Sequence, residues 1–78
     1  MPRFYFHVHD DIEALDEEGL ELPHAKAAID GAVHAARELA AEEVRHGELH
    51  LDHRVEVVDE NGAVISTITF RDCVIVEG

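Results

Sequence analysis

Histidine offers the most varied chemistry in this chain, which holds seven histidines among 78 residues. His7 and His9 stand two positions apart in an alternating segment, so both rings project from the same face of a predicted strand. Two imidazoles on one face can share a divalent cation, and the carboxylates of Asp10 and Asp11 follow directly. We therefore predict His7 and His9 as metal ligands. The alternative is that both rings face solvent or an interface.

A second group of histidines, His46, His50 and His53, follows the end of a predicted helix. A protonated imidazole near a helix C-terminus interacts favourably with the helix dipole. This electrostatic role is the interpretation we prefer for His46. No metal site is predicted in this second group.

Catalytic motifs lack support in the sequence. Cys73, the only cysteine, lies in an apolar run, where a thiol usually packs rather than reacts. The chain has no glycine-rich phosphate loop and no Gly-x-Ser-x-Gly turn. Its acidic segment, residues 10–21, lacks the Asp-x-Asp-x-Asp-Gly spacing of a helix–loop–helix calcium site. We expect no catalytic residues, no cofactor and no enzymatic activity.

The charge balance restricts the partners. Eighteen acids and six bases give a formal net charge of −12. Because nucleic-acid phosphates and anionic lipids would be repelled, we expect neither a nucleic acid nor a membrane as partner. A basic protein partner is compatible with this charge, as is ordinary solubility. We predict no signal peptide or membrane span, and a lone thiol suits a reducing compartment, so a cytoplasmic location is expected.

Two elements must position the histidines. Side chains alternate over residues 3–9, which predicts a strand with Phe4, Phe6 and Val8 toward the core. A short return strand is expected at either 12–15 or 20–22. Alanine-rich residues 24–46 carry one apolar stripe and predict the single helix, with Pro23 in its first turn and Gly47 at its exit.

Residues 54–70 predict a β-hairpin, because Asn61-Gly62 favours a two-residue turn. That turn places Val57 opposite Ser66. The register puts five apolar side chains on one face: Val55, Val57, Val64, Ile68 and Phe70. A three-residue turn would instead pair Val57 with Ile65.

These elements predict one α+β domain over residues 1–78. A single helix packs on a small antiparallel sheet of three or four strands, in the order β-(β)-α-β-β. The alanine-faced helix cannot cover all the apolar material, which includes Tyr5, Val58, Ile65 and the run 73–76. We therefore expect a non-enzymatic protein-interaction module that forms a homo-oligomer, most simply a homodimer.

Several motifs occur in a specific order: Met1-Pro2-Arg3 and an aromatic strand, Glu18-Gly19-x-Glu21-Leu22-Pro23, the alanine-rich helix, and Asp59-Glu60-x-Gly62. In this combination the chain resembles a family of short alphaproteobacterial proteins catalogued as a domain of unknown function. The resemblance implies a bacterial protein and supplies no activity or site residues. Because aspartate is common in the family where His7 stands, the resemblance does not extend the His7/His9 metal site to other members.

A second similarity is to the antitoxin halves of certain toxin–antitoxin pairs. In those proteins strands precede an acidic-glycine turn and a helix rich in Glu and Ala. The similarity implies an inhibitor of a basic, RNA-cleaving protein, which is our alternative functional hypothesis together with weak metal binding. The chain departs from these antitoxins because it lacks their usual extra strand and a separate DNA-binding segment.

Overall fold

A computed structural model describes residues 1–77 of the protein as one antiparallel sheet with a long helix on one face. The elements are β1 (Arg3–His9), β2 (Glu13–Ala14), β3 (Leu20–Glu21), α1 (Ala25–Arg45), β4 (Arg54–Asp59), β5 (Val64–Thr69) and α2 (Phe70–Cys73). Strands run in the order β2-β1-β4-β5, and β3 also pairs with β1. The predicted α+β class is confirmed. No helix formed by residues 1–77 is both long enough and apolar enough to cross a bilayer.

The two segments considered for the return strand both form. β2 pairs with β1 at Val8↔Ala14, and β3 pairs with it at Phe4↔Leu20. Because β4 occupies the other edge of β1, the two short strands share one edge and lie at its opposite ends. The sheet therefore has five strands rather than the predicted three or four.

Asp16 holds this interrupted edge together. Its Oδ2 accepts the backbone N–H of Phe6 at 3.2 Å, and its Oδ1 accepts those of Glu18 and Gly19, both at 3.1 Å. Partial burial raises the pKa of Asp16, but the three backbone bonds outweigh it and hold the pKa below its ordinary value. A Cβ on Gly19, whose φ is +70°, would lie 2.8 Å from the Phe4 carbonyl oxygen, so this position requires glycine.

The helix α1 contributes small side chains to the core. Ala28, Ala32, Ala36 and Ala40 recur every four residues and are all buried. The same core contains larger residues from the sheet and α2: Phe4, Val55, Val57, Ile68 and Phe70. Because alanine projects so little, the helix backbone can approach the sheet closely.

Both ends of α1 are capped. At the start, His24 is the N-cap and its Nδ1 accepts the Ala27 N–H at 3.1 Å. Pro23 therefore precedes the cap, and its predicted place in the first turn is wrong. At the other end Gly47 has φ +85°, and its N–H donates to Val44 O while Glu48 N–H donates to Glu43 O. The predicted glycine exit is confirmed.

The hairpin has the turn of one predicted alternative and the strand register of the other. Its turn has three residues, because Asp59 N–H donates to Ala63 O at 2.9 Å, and Gly62 has φ +84°. The Asp59 carboxylate favours this turn by accepting the N–H groups of Asn61 and Ala63. Farther along, Val57 pairs with Ser66, as the two-residue turn predicted.

A β-bulge reconciles this turn with this register. Val57 pairs with Ser66 but Val58 pairs with Val64, so Ile65 is the extra residue. The bulge changes which side chains face the helix beyond that point. Val64 is therefore 54% exposed, and its predicted place in the core is wrong. Val58, expected to be uncovered, is buried.

The apolar run that begins at Cys73 divides into two parts. Thr69 and Asp72 form a capping box around the short helix α2, and Arg37 Nε donates to Cys73 O at 2.8 Å. Cys73 is buried, whereas Ile75 is 87% exposed. Only the first part of the run therefore belongs to the core.

The alanine stripe sets the spacing between helix and sheet, which a larger side chain should disturb. We predict that Ala36→Leu lowers the free energy of unfolding by about 1–3 kcal/mol, since overpacking strains a filled core. Urea denaturation followed by circular dichroism measures the change. Ala41→Leu, on the exposed side of the same helix, is the matched control. Equal stability of the two variants would contradict close packing at Ala36.

Asp16 should stabilise the fold only while it is ionised. We predict that Asp16→Asn costs about 1–3 kcal/mol at neutral pH, because an amide oxygen cannot replace the carboxylate at three N–H donors. Since the folded pKa is depressed, the contribution of Asp16 is present above its unfolded pKa and is lost as pH falls through the folded pKa. Unfolding curves from pH 7 to 3 should therefore converge for the two proteins. Glu17→Gln is the control, because it removes the same charge from an exposed neighbouring residue. At neutral pH its free energy of unfolding should remain higher than that of Asp16→Asn.

Candidate functional site

Three side chains meet where the chain leaves α1 and returns to the sheet. Glu43 lies in the last turns of the helix, and the Gly47 exit turns the chain so that His50 and His53 come back beside it. Glu43 Oε1 accepts the backbone N–H of His50 at 2.8 Å, and Glu43 Oε2 lies 2.6 Å from His53 Nδ1. We call Glu43, His50 and His53 the helix-exit cluster.

Both rings of the helix-exit cluster pack against another ring. The His50 and His53 rings stack with centroids 4.4 Å apart and planes inclined by 15°. Phe70 meets His53 in an edge-to-face arrangement, with ring centroids 5.7 Å apart. His53 is a buried polar residue at 9% exposure, and its carbonyl oxygen accepts the Phe70 N–H at 2.8 Å. The cluster is thus tied to the core.

Donor atoms converge within the helix-exit cluster. One atom from each of its three side chains lies within 4.8 Å of the others, and all three residues are at least partly buried. Partial burial raises the pKa of Glu43, but the bonds from His50 and His53 outweigh it and leave the pKa below its ordinary value. Glu43 is therefore a carboxylate at neutral pH. His50 Nδ1 is shielded from solvent and makes no hydrogen bond, although it lies 3.4 Å from Glu43 Oε1.

The sequence alone does not reveal this cluster. It groups His50 and His53 with His46 and gives no reason to associate Glu43 with them. The available signal was the His-x-x-His spacing after a glycine exit, with a glutamate in the preceding helical turn. In contrast, His46 lies at the C-cap with Nε2 3.1 Å from Glu42 Oε1. Its predicted interaction with the helix dipole stays a prediction.

The two histidines predicted as metal ligands have separate partners. His7 Nδ1 accepts the backbone N–H of Asp16 at 3.0 Å, which leaves Nε2 as the ring nitrogen free for another role. His9 Nδ1 lies 3.1 Å from Glu13 Oε1, and its Nε2 is 3.7 Å from Glu56 Oε1. Among residues 1–77 the three-residue donor group is the helix-exit cluster, and neither histidine belongs to it. Metal binding by His7 and His9 stays a prediction.

Cys73 has the environment of a packing residue. Its thiol donates to Phe70 O, with Sγ 3.3 Å from the oxygen. Burial raises the pKa of the Cys73 thiol, and the nearby Arg37 guanidinium only partly offsets this. The thiol is therefore protonated at neutral pH, a state that is a poor nucleophile.

Comparison with known proteins places the chain in a family. A family described as a domain of unknown function, DUF6894, matches residues 3–71. This range begins with β1, contains every strand and the whole of α1, and ends within α2. Neither the curated proteins nor the solved structures yielded a match. The chain belongs to the DUF6894 family, a domain of unknown function.

Proposed function

We propose that the protein is a non-enzymatic interaction module that associates with a second copy of itself through β5. The observation that carries this proposal is the contrast between the two edges of the sheet. One edge is acidic and interrupted, and the other is an uncharged strand with no neighbour among residues 1–77. A cytoplasmic location is part of the proposal and is supported by the single, buried thiol of Cys73.

The strand β5 has few of the features that keep edge strands apart. Its sequence is Val-Ile-Ser-Thr-Ile-Thr, which contains no charge and no proline, and five of its six residues are β-branched. The backbone groups that point away from β4 have no strand partner in the described chain. Such an edge is a template for another strand. The bulge at Ile65 limits this template only near the start of β5.

The charge distribution also favours association at the β5 edge. Seven acids lie in the segment that carries β2 and β3: Asp10, Asp11, Glu13, Asp16, Glu17, Glu18 and Glu21. Two copies with a net charge of −12 repel one another, and repulsion is strongest where these acids meet. The edge at β5 lies on the far side of the sheet from them. It is therefore where two copies can approach at the lowest electrostatic cost.

The geometry of β5 suits a two-fold arrangement. Antiparallel pairing of two identical strands about a two-fold axis places one residue opposite itself, because paired side chains lie on the same face of the sheet. Thr67, near the middle of Val64–Thr69, can take this position. In this pairing Ser66 of one copy would lie opposite Ile68 of the other. The partly exposed Ser66 would then be covered next to a core residue. The two sheets would form one continuous sheet.

A charge at the centre of β5 should weaken this association. We predict that Thr67→Lys raises the dimer dissociation constant by about tenfold or more, because two lysines would approach across the two-fold axis. Sedimentation equilibrium measures the constant. Ala41→Lys is the matched control, since it adds the same charge at an exposed helical position. It should leave association unchanged or strengthen it slightly by reducing the overall negative charge.

A monodisperse monomer at micromolar concentrations, combined with a high melting temperature, would overturn the proposal. So would a dimer that Ala41→Lys and Thr67→Lys weaken equally, because that outcome would mean that β5 is outside the interface.

A second candidate function is inhibition of a basic protein, and the acidic edge is the observation that favours it. If this function is correct, a basic protein should co-purify with the chain from the native host and dissociate at raised salt, since exposed charge pairs are screened. Replacing Glu17 and Glu18 by glutamine should reduce its recovery. Recovery of no basic protein at low salt would exclude this function.

A further inference from the structure

We propose that the helix-exit cluster binds a divalent cation of the zinc type through a Glu43 carboxylate oxygen, His50 Nδ1 and His53 Nδ1. This site lies apart from β5 and is distinct from the His7/His9 pair predicted from the sequence. Its donor set, two imidazoles and one carboxylate, is one that zinc uses with a fourth position open to water or another ligand. The proposal is independent of the self-association proposed above.

The three side chains already place donor atoms close together. One donor atom from each residue lies within 4.8 Å of the others, whereas donors about 2.0–2.1 Å from a tetrahedral ion are about 3.4 Å apart. His50 Nδ1 lies 3.4 Å from Glu43 Oε1, and His53 Nδ1 lies 2.6 Å from the other oxygen, Oε2. Binding therefore requires the donors to move closer to a single point.

Each histidine also has a carboxylate near its second ring nitrogen. His53 Nε2 is 3.6 Å from Asp11 Oδ1, and His50 Nε2 is 3.9 Å from Glu48 Oε2. A metal-bound histidine commonly directs its second ring nitrogen to a carboxylate, which fixes the tautomer and increases the basicity of the ligand. Both histidines thus turn Nδ1 inward to Glu43 and Nε2 outward to an acid.

The cation would replace a proton. At 2.6 Å, His53 Nδ1 and Glu43 Oε2 share a hydrogen bond that needs a proton between them. When the cation binds, the neutral ring changes tautomer: the Nδ1 proton leaves to solvent, Nε2 takes up a proton from solvent on the side of Asp11, and the Nδ1 lone pair becomes a ligand. His50 Nδ1, which has no hydrogen bond, gains a partner at the same time.

One ring must rotate for the site to form. An imidazole binds a metal in its own plane, and two stacked rings inclined by only 15° cannot both direct Nδ1 to one ion. His50 is the ring that can turn, because its side chain is 37% exposed whereas that of His53 is 11% exposed. Binding should therefore break the stack and hold the segment between α1 and β4 more firmly.

The test uses the full chain without an affinity tag. We expect ZnCl₂ to bind with one equivalent per chain in isothermal titration calorimetry and to raise the melting temperature. His50→Ala should weaken binding by tenfold or more while leaving the metal-free circular dichroism spectrum unchanged, because His50 contacts Glu43 through its backbone N–H. Asp11→Asn should weaken binding about tenfold through His53.

Two controls separate this site from other histidines. His34→Ala removes an exposed histidine on α1 and should leave zinc binding unchanged. His7→Ala with His9→Ala should also leave it unchanged. The proposal is overturned if zinc neither releases heat nor raises the melting temperature, if His50→Ala binds like the unaltered chain, or if only the His7/His9 variant loses binding.

Discussion

One alanine-faced helix covers one face of the sheet, and its close packing shapes the rest of the fold. Ala28, Ala32, Ala36 and Ala40 are small enough for α1 to lie close to β4 and β5. The core is consequently thin, and its larger residues come from the sheet and α2. No strand among residues 1–77 pairs with the outer edge of β5. We attribute the interaction function proposed here to this incomplete coverage.

Two partly buried carboxylates accept backbone N–H groups that regular secondary structure leaves without a partner. Asp16 accepts three backbone N–H groups where the return strand is broken between β2 and β3. Glu43 accepts a backbone N–H and contacts a buried histidine where the chain leaves α1. In both places burial opposes ionisation and hydrogen bonds favour it, with a net lowering of the pKa. Some acidic residues of the chain therefore stabilise the fold, whereas others form a charged surface.

Periodicity and turn chemistry were sufficient to predict α1, β1 and the existence of the hairpin, because these depend on local sequence. The length of the hairpin turn is harder to predict from sequence. Asn61-Gly62 favours a two-residue turn, but the Asp59 carboxylate stabilises a three-residue turn. The bulge at Ile65 then restores the predicted pairing of Val57 with Ser66. Val64 was misplaced as a result. Predicting the helix-exit cluster requires knowing the direction that the chain takes after Gly47. Residue spacing alone does not give this direction.

We propose that β5 is the edge through which the protein associates with a second copy. Amide hydrogen exchange of β5, measured over a range of protein concentrations, tests this proposal. We predict that protection of the outward N–H groups in Val64–Thr69 increases with concentration, while protection of α1 changes no more than the overall stability does. Exchange in β5 that is independent of concentration from the micromolar to the millimolar range would show that β5 is outside the interface.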